Sequence, residues 1–326
     1  MAWPASSPQW DILNKLMYGS YRQFLAYNAN LFNANTRGGL LLSTGPDIQG
    51  DYEKMSFFKN ISGLVKDRDI TADTDLSVVR FEMDNLAKVK YAKGTPQVEI
   101  IPHQWDWILK SPEEGMAMLG EQLAEQTLAD NLAVAVAALV AANANVGATL
   151  VYDGTAGTPT LTGLTDTAQL WGDRSNNIAC WVMHSKSFND LQKAGLLNAQ
   201  NLFTYGTVNF MQDQTGRPFI VTDLPSLVYT VAGPATRYHI LGLSPGAVKI
   251  EAGQEFRSLF QETGGKENIK SFFQAQWTNN IELKGFGWNT TAVPSNPTTA
   301  QLGTGTNWVK KVTSVKDCGA VIGNFQ

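Results

Sequence analysis

The side chains able to do chemistry are few and scattered. The 326 residues hold three histidines, His103, His184 and His239, too far apart in sequence to form a local metal motif. Only the fold could bring them together as a zinc site. His184 follows a strand-like run and opens a helix-like one, where a cap-region role is enough. Asp73, Asp75, Ser77 and Asp84 fall on positions 1, 3, 5 and 12 of a calcium-binding loop. Position 6, however, is Val78 where such a loop needs glycine, and position 12 is aspartate instead of glutamate. The stretch is therefore read as a solvated, charged loop. Glu113 and Glu114 are paired carboxylates, but the first turn of a helix accounts for them through its dipole. Cys180 and Cys318 make no CxxC and read as free thiols in a reducing cytoplasm. None of the phosphate-cradling, dinucleotide-binding, zinc-protease or nucleophile-elbow motifs occurs. The expectation is a chain that is not an enzyme, with no catalytic residues, no metal and no cofactor.

Composition points the same way. Hydrophobic residues make up 43% and charged residues 17%, with a net charge of -4. Ordinary soluble domains carry about 25% charge. Disorder is excluded by the apolar content and the small net charge. A strong basic field for reading nucleic acid is absent. The N-terminal residues lack a basic and apolar signal pattern, and the run Leu132 to Ala142 falls short of the roughly 20 residues of a membrane span. A soluble intracellular product with no membrane contact is expected.

The elements that would position any site fall into segments of different composition. Residues 1–50 carry five charges but seven aromatics, among them Trp3, Trp10, Tyr21 and Phe24. Trp10, Leu13, Met17, Tyr21 and Phe24 recur at helical steps, which predicts a short amphipathic helix within an otherwise extended arm. So many aromatics in a terminal arm need another surface, either their own domain or a neighbouring subunit. Residues 51–93 hold eight acids and eight bases. Met55–Val65 and Val78–Met83, the second running on toward Tyr91, predict a long β-hairpin with a charged tip carrying Lys66, Arg68, Asp69, Asp73 and Asp75. A lone ribbon is only marginally stable, so outside contacts are expected to hold it.

Ser111-Pro-Glu-Glu114 reads as an N-cap followed by proline and a capping-box glutamate. The apolar spacing from Met116 into Leu132–Ala142, ended by Asn143–Gly147, predicts a helix of about 30 residues, roughly 45 Å long. Its acids, including Glu114, Glu121 and Glu125, face no basic residue of the same helix. Residues 148–245 alternate short strands and helices, with Ile178–Met183 and Tyr238–Leu243 as buried strands. Residues 246–251 and 268–283 alternate strongly enough to be long strands. A linker and a short basic tail, 290–326, follow.

This order of parts resembles the major capsid proteins of tailed bacteriophages, the Hong Kong 97-type capsid fold shared with encapsulins. Cys180-Trp-Val-Met-His-Ser-Lys-Ser-Phe-Asn-Asp-Leu191 is similar to the strand-and-helix phrase of that fold's axial domain. Gly216-Arg-Pro-Phe-Ile-Val-Thr-Asp-Leu-Pro225 resembles the strand after it. The resemblance implies an α+β chain in the following order: N-terminal arm, 1–50; E-loop hairpin, 51–97; peripheral domain with a long spine helix, 98–147; axial domain, 148–245; peripheral return strands, 246–289; and C-terminal extension, 290–326. It implies a structural head protein that assembles with itself into pentamers and hexamers, forming an icosahedral shell around double-stranded DNA. Assembly would occur in the host cytoplasm and end in the virion, with separate scaffolding, portal and decoration proteins. Subunit contacts would fall on Trp3, Trp10, Tyr21, Phe24, Lys66, Arg68, Asp69, Asp73 and Asp75. A DNA-facing acidic surface would comprise Glu114, Glu121 and Glu125. The tail would reach a neighbour or a decoration protein. Two other readings stay open: an encapsulin-type nanocompartment, and a two-domain enzyme with its site in 148–245.

Overall fold

The computed structural model describes residues 7–44, 48, 50–61, 63–71, 75, 78–101, 111–193, 200–205, 208–212, 217–230, 236–265, 267, 270–293 and 295–326. Among them the chain forms two eight-stranded sheets and two long helices, α1 (Ser7–Asn35) and α2 (Pro112–Val146).

The local signals at α2 act as expected. The Ser111 hydroxyl accepts from the Glu114 N–H at 3.2 Å, Pro112 occupies the first turn, and Gly147 ends the helix at φ +82°. The helix is 35 residues long, which exceeds the sequence estimate. By length and composition it could cross a membrane, but 61% of its apolar window is buried inside the protein. Leu128, Leu132, Val136 and Leu139 pack with Val89, Ile250 and Ile281 of the sheet beneath.

The arm departs from its expected form. Its helix is 29 residues long, Ser7–Asn35, and takes in Pro8 and the asparagine-rich run expected to be extended; the strand Leu40–Thr44 follows it. Leu13, Met17, Tyr21 and Phe32 lie on a single buried face. Packing against α2 supplies the stability that the asparagine-rich sequence lacks. Asn33 even serves the next element, donating to the Leu42 carbonyl at 2.7 Å and accepting the Leu42 N–H at 2.8 Å. Contact between the helices requires Gly120, because a Cβ there would stand 2.6 Å from the Met17 carbonyl oxygen.

The first sheet contains β1 (Leu40–Thr44), β2 (Tyr52–Phe58), β3 (Met83–Gly94) and β4 (Val98–Ile100), then the later strands β12 (Val248–Thr263), β13 (Lys270–Leu283), β14 (Phe286–Trp288) and β15 (Trp308–Lys310). Its main path runs β1-β12-β13-β14-β15; β3 and β4 also pair with β13, and β2 pairs with β3. The hairpin ladder runs from Tyr52↔Val89 to Phe58↔Met83. Of the expected strand Val78–Met83, Met83 joins the ladder and its continuation toward Tyr91 forms as β3. Val78, Val79 and Phe81 stand 87%, 59% and 61% exposed, outside any ladder among the described residues. In exchange, β3 runs on past the hairpin and pairs with β13 from Val89↔Ile281 to Gly94↔Gln276. Between Ala252 and Phe256 the β12 register shifts, which bulges the strand.

The second sheet orders β5 (Val151–Asp153), β16 (Ala320–Phe325), β11 (Thr236–Leu243), β6 (Cys180–Met183), β9 (Pro218–Val221), β8 (Val208–Gln212) and β7 (Gln200–Tyr205), with β10 (Val228–Thr230) beside β11. The segment 290–326, expected as an extension beyond the minimal fold, is built into both sheets. The tail contributes β15 to the first sheet, and β16 enters the second between β5 and β11. Trp308 is fully buried, its indole N–H donating to the Leu302 carbonyl at 2.8 Å. Phe325 is 2% exposed, in a cradle where a Cβ at Gly154, Gly163 or Gly323 would come within 2.6 Å of its ring. Apolar residues near a chain end thus serve the core, because a sheet centre was open to receive them. Cys180 and Cys318 are free and buried, and burial pushes their thiols up to about 12 and about 11.

Candidate assembly interface

The structure separates the expected contact residues into distinct environments. Lys66, Arg68, Asp69 and Asp75 are exposed on the segment beyond the hairpin ladder. Asp69 is held below the usual carboxylate range by hydrogen bonds from the Thr71 N–H at 2.9 Å and hydroxyl at 2.7 Å. Trp3 and Asp73 lie outside the described residues, and Trp10 falls in the N-terminal turns of α1. Phe24 is half-buried against the α1–α2 contact. Tyr21 is committed largely to its own chain: it is 5% exposed, and burial pushes its hydroxyl up to about 12 while Thr127 hydrogen-bonds it. It lies one turn beyond Met17, on the face that α2 covers.

On α2, Glu114 and Glu121 are exposed and Glu125 is half-buried. They lie seven and four residues apart, in one stripe. Asp130, further along, meets Lys93 of β3 at 2.8 Å. This counter-ion comes from another element, so the sequence of the helix alone does not show it.

Two further clusters were not foreseen. At the tip-ward end of the hairpin ladder, opposite Phe57, Asp84 sits between Lys59 at 3.3 Å and Lys311 at 3.0 Å. Burial alone would raise its pKa. Hydrogen bonds from the Asn85 N–H, Lys311 and Lys59 outweigh that and hold it below the usual range. Beneath α2, the Tyr91 hydroxyl donates to Asn131 Oδ1 at 3.3 Å, and Asn279 donates to the same oxygen at 3.0 Å. This buried knot joins β3, α2 and β13, and burial raises the Tyr91 hydroxyl far above its ordinary value. The hairpin is thus tied at its root and bare at its tip.

Residues able to do chemistry stay dispersed. Among the described residues no three of His, Cys, Asp and Glu are grouped to hold a metal. His184 faces Asp223 at 3.4 Å, His239 meets Asn324 at 2.7 Å, and His103 lies outside the described residues. Asp84, the last residue of the calcium-loop pattern, is committed to its two lysines.

A rooted hairpin with a bare tip, a long spine helix and an inserted α/β unit define the class: this is a shell-building structural protein with the Hong Kong 97-type capsid fold. The family model described as "Major capsid protein 13-like" matches residues 9–322, and the chain belongs to that family. No curated protein sequence matches it. Among solved structures, the cyanophage Pam1 capsid asymmetric unit aligns over 87% of this chain and 88% of that one, at 14% identity and a TM-score of 0.51. The capsid of Ralstonia phage GP4 covers 88% and 86%, at 9% identity and a TM-score of 0.50. The holo-SrpI encapsulin complex from Synechococcus elongatus covers 74% and 81%, at 13% identity and 0.47, a likeness that carries no argument. The protein is a structural component of a virion capsid that associates with itself into a shell, and it is not an enzyme.

Proposed function

We propose that copies of this chain close into pentamers and hexamers, joined as an icosahedral shell around packaged double-stranded DNA. The observation that carries this reading is the hairpin tip, where Leu64, Val65 and Ile70 are 73%, 95% and 87% exposed on a chain of only 17% charge. Apolar side chains clustered this way mark a surface that another chain covers. Head-to-tail contacts that close make rings, and a protruding hairpin is suited to such a contact. Lys66, Arg68, Asp69, Asp73 and Asp75 would set its register, each exposed pair worth only about 0–1 kcal/mol. Apolar burial at about 25 cal/mol per Å² would carry most of the affinity. From the arm, Trp3, Trp10 and Phe24 remain interface residues, whereas Tyr21 serves its own core.

In this reading 1–50 is the arm, 51–97 the hairpin, 98–147 and 246–289 the peripheral domain and 148–245 the axial domain. Residues 290–326 are shared between the last two. The stripe Glu114, Glu121 and Glu125 faces the packaged DNA and repels it, since phosphate binding depends on Lys and Arg. Scaffolding, portal and decoration proteins are separate chains, and assembly takes place in the host cytoplasm.

Replacing Val65 and Ile70 together by serine tests the tip. The variant should keep its circular dichroism but sediment as small species, with no shells in negative stain. Shells of normal size and yield would sink the reading. Replacing Glu121 and Glu125 by lysine should lower packaged DNA and spare empty shells; unchanged packaging would refute the inward acidic face.

A further inference from the structure

A cleft of about 730 Å³ opens between α1, α2 and the β12–β13 ladder, beside the bulge in β12. Its lining includes a stack of rings. Phe256 lies 4.8 Å from Tyr18, 5.0 Å from Tyr21 and 6.2 Å from Trp277, with the planes near parallel. The guanidinium of Arg22 sits over Tyr18 at 5.7 Å. Two polar groups of lining residues, the Trp277 indole N–H and the Thr278 hydroxyl, are shielded from water and have no partner among the described residues. Each calls for an acceptor supplied from outside. A ring ladder with an indole donor suits an extended, proline-containing segment. Such a segment keeps its backbone carbonyls free, and it docks in aromatic-lined grooves.

We propose that this cleft receives the Trp3-Pro4 segment, residues 1–6, of a second copy of the chain. The proposal deepens the reading of Trp3 as an interface residue and rests on it. The sequence there, Met-Ala-Trp-Pro-Ala-Ser, is uncharged in its side chains and pairs an aromatic with a proline. Reach selects the second copy. Trp3 stands four residues before Ser7, where α1 begins, an extended span of at most about 14 Å. Along α1, Tyr18 is about 16 Å from Ser7 and Asn33, at the far end of the cleft, about 39 Å. A chain's own segment therefore stops at the near rim, whereas a neighbour's can lie along the ring stack. Its carbonyls then accept from Trp277 and Thr278.

The test uses full-length chains that keep Trp3. An Ala5→Cys chain and an Ala26→Cys chain, the latter altered on the exposed lip of the cleft, are co-assembled and oxidised. The native cysteines, being buried, do not compete. A non-reducing gel should show the mixed disulfide dimer at least ten-fold above either variant assembled alone. Adding Trp277→Phe, which keeps the ring and removes the donor, should lower the yield about two- to ten-fold, the worth of one hydrogen bond. Intact shells without the dimer would overturn the proposal. So would a Val65→Cys chain that cross-links to Ala26→Cys in place of Ala5→Cys, which would assign the cleft to the hairpin tip. Trp3→Ala separates the two levels: normal shells would sink the reading of Trp3 itself, whereas lost shells without the cross-link would sink only the cleft. If Ala5→Cys fails to assemble, a fluorescein-labelled peptide of residues 1–8 is titrated into unassembled wild-type chain. Saturable binding weakened two- to ten-fold by Trp277→Phe supports the proposal, and no binding overturns it.

Discussion

Phe325→Ala is the sharpest test of where the tail belongs. If 290–326 were a peripheral extension, shortening a side chain one residue from the end would change nothing. In the structure Phe325 is 2% exposed, and its ring lies against Gly154, Gly163 and Gly323. Truncating a buried Phe costs about 3–5 kcal/mol, and the cost rises when the site cannot collapse. Three glycines have no side chains to move into the void, so about 4 kcal/mol is expected, near a thousand-fold in the folded-to-unfolded ratio. With a urea dependence of about 2 kcal/mol per molar, the midpoint of the unassembled chain should fall by about 2 M. β16 pairs with six residues of β11 and three of β5, so amide protection should drop first in those strands. Phe325→Leu should recover most of the loss. A midpoint within 0.3 M of wild type for Phe325→Ala, in units of the same about 2 kcal/mol per molar slope, would refute the reasoning.

Other perturbations probe the far end of the hairpin ladder and the knot beneath the spine. Asp84→Ala should speed amide exchange in β2 and lower shell yield, because Lys59 and Lys311 lose their common partner. The folded carboxyl lies below its ordinary 3.8. Its stabilisation is therefore full above that value and lost as pH falls through the folded pKa, so the wild-type hairpin should loosen only below about pH 4. Exchange in β2 measured from pH 3 to pH 7 checks this, and loosening near pH 6 would contradict it. Asn131→Leu should destabilise the unassembled chain by about 1–3 kcal/mol, by stranding Tyr91 and Asn279 in the core. A neutral urea midpoint would mean that the knot is replaceable by packing.

Signals that act over a few residues were legible in the sequence. The spine helix announced itself through Ser111, Pro112 and Glu114 at its start and Gly147 at its end. The buried strand Cys180–Met183, β13 and the first four residues of β12 showed in their apolar patterning, whereas β12 runs on past the expected end at Glu251 to Thr263. The poverty of charge, and its concentration in the hairpin region, pointed toward contact with other copies. What the sequence could not settle depends on partners far along the chain. Val78–Phe81 has strand composition but joins no ladder among the described residues, while β3, from Met83 on, finds β13 nearly two hundred residues on. The helix of the arm runs the full length of Ser7–Asn35 because α2 covers its apolar face, and that same contact buries Tyr21. Asp84 meets Lys311, Asp130 meets Lys93, and β16 lies between β5 and β11, strands from far earlier in the chain. Helical caps and periodicity are energies of neighbouring residues and can be read in one dimension. Burial, pairing and counter-ions are energies of proximity in space, and tertiary structure alone decides them.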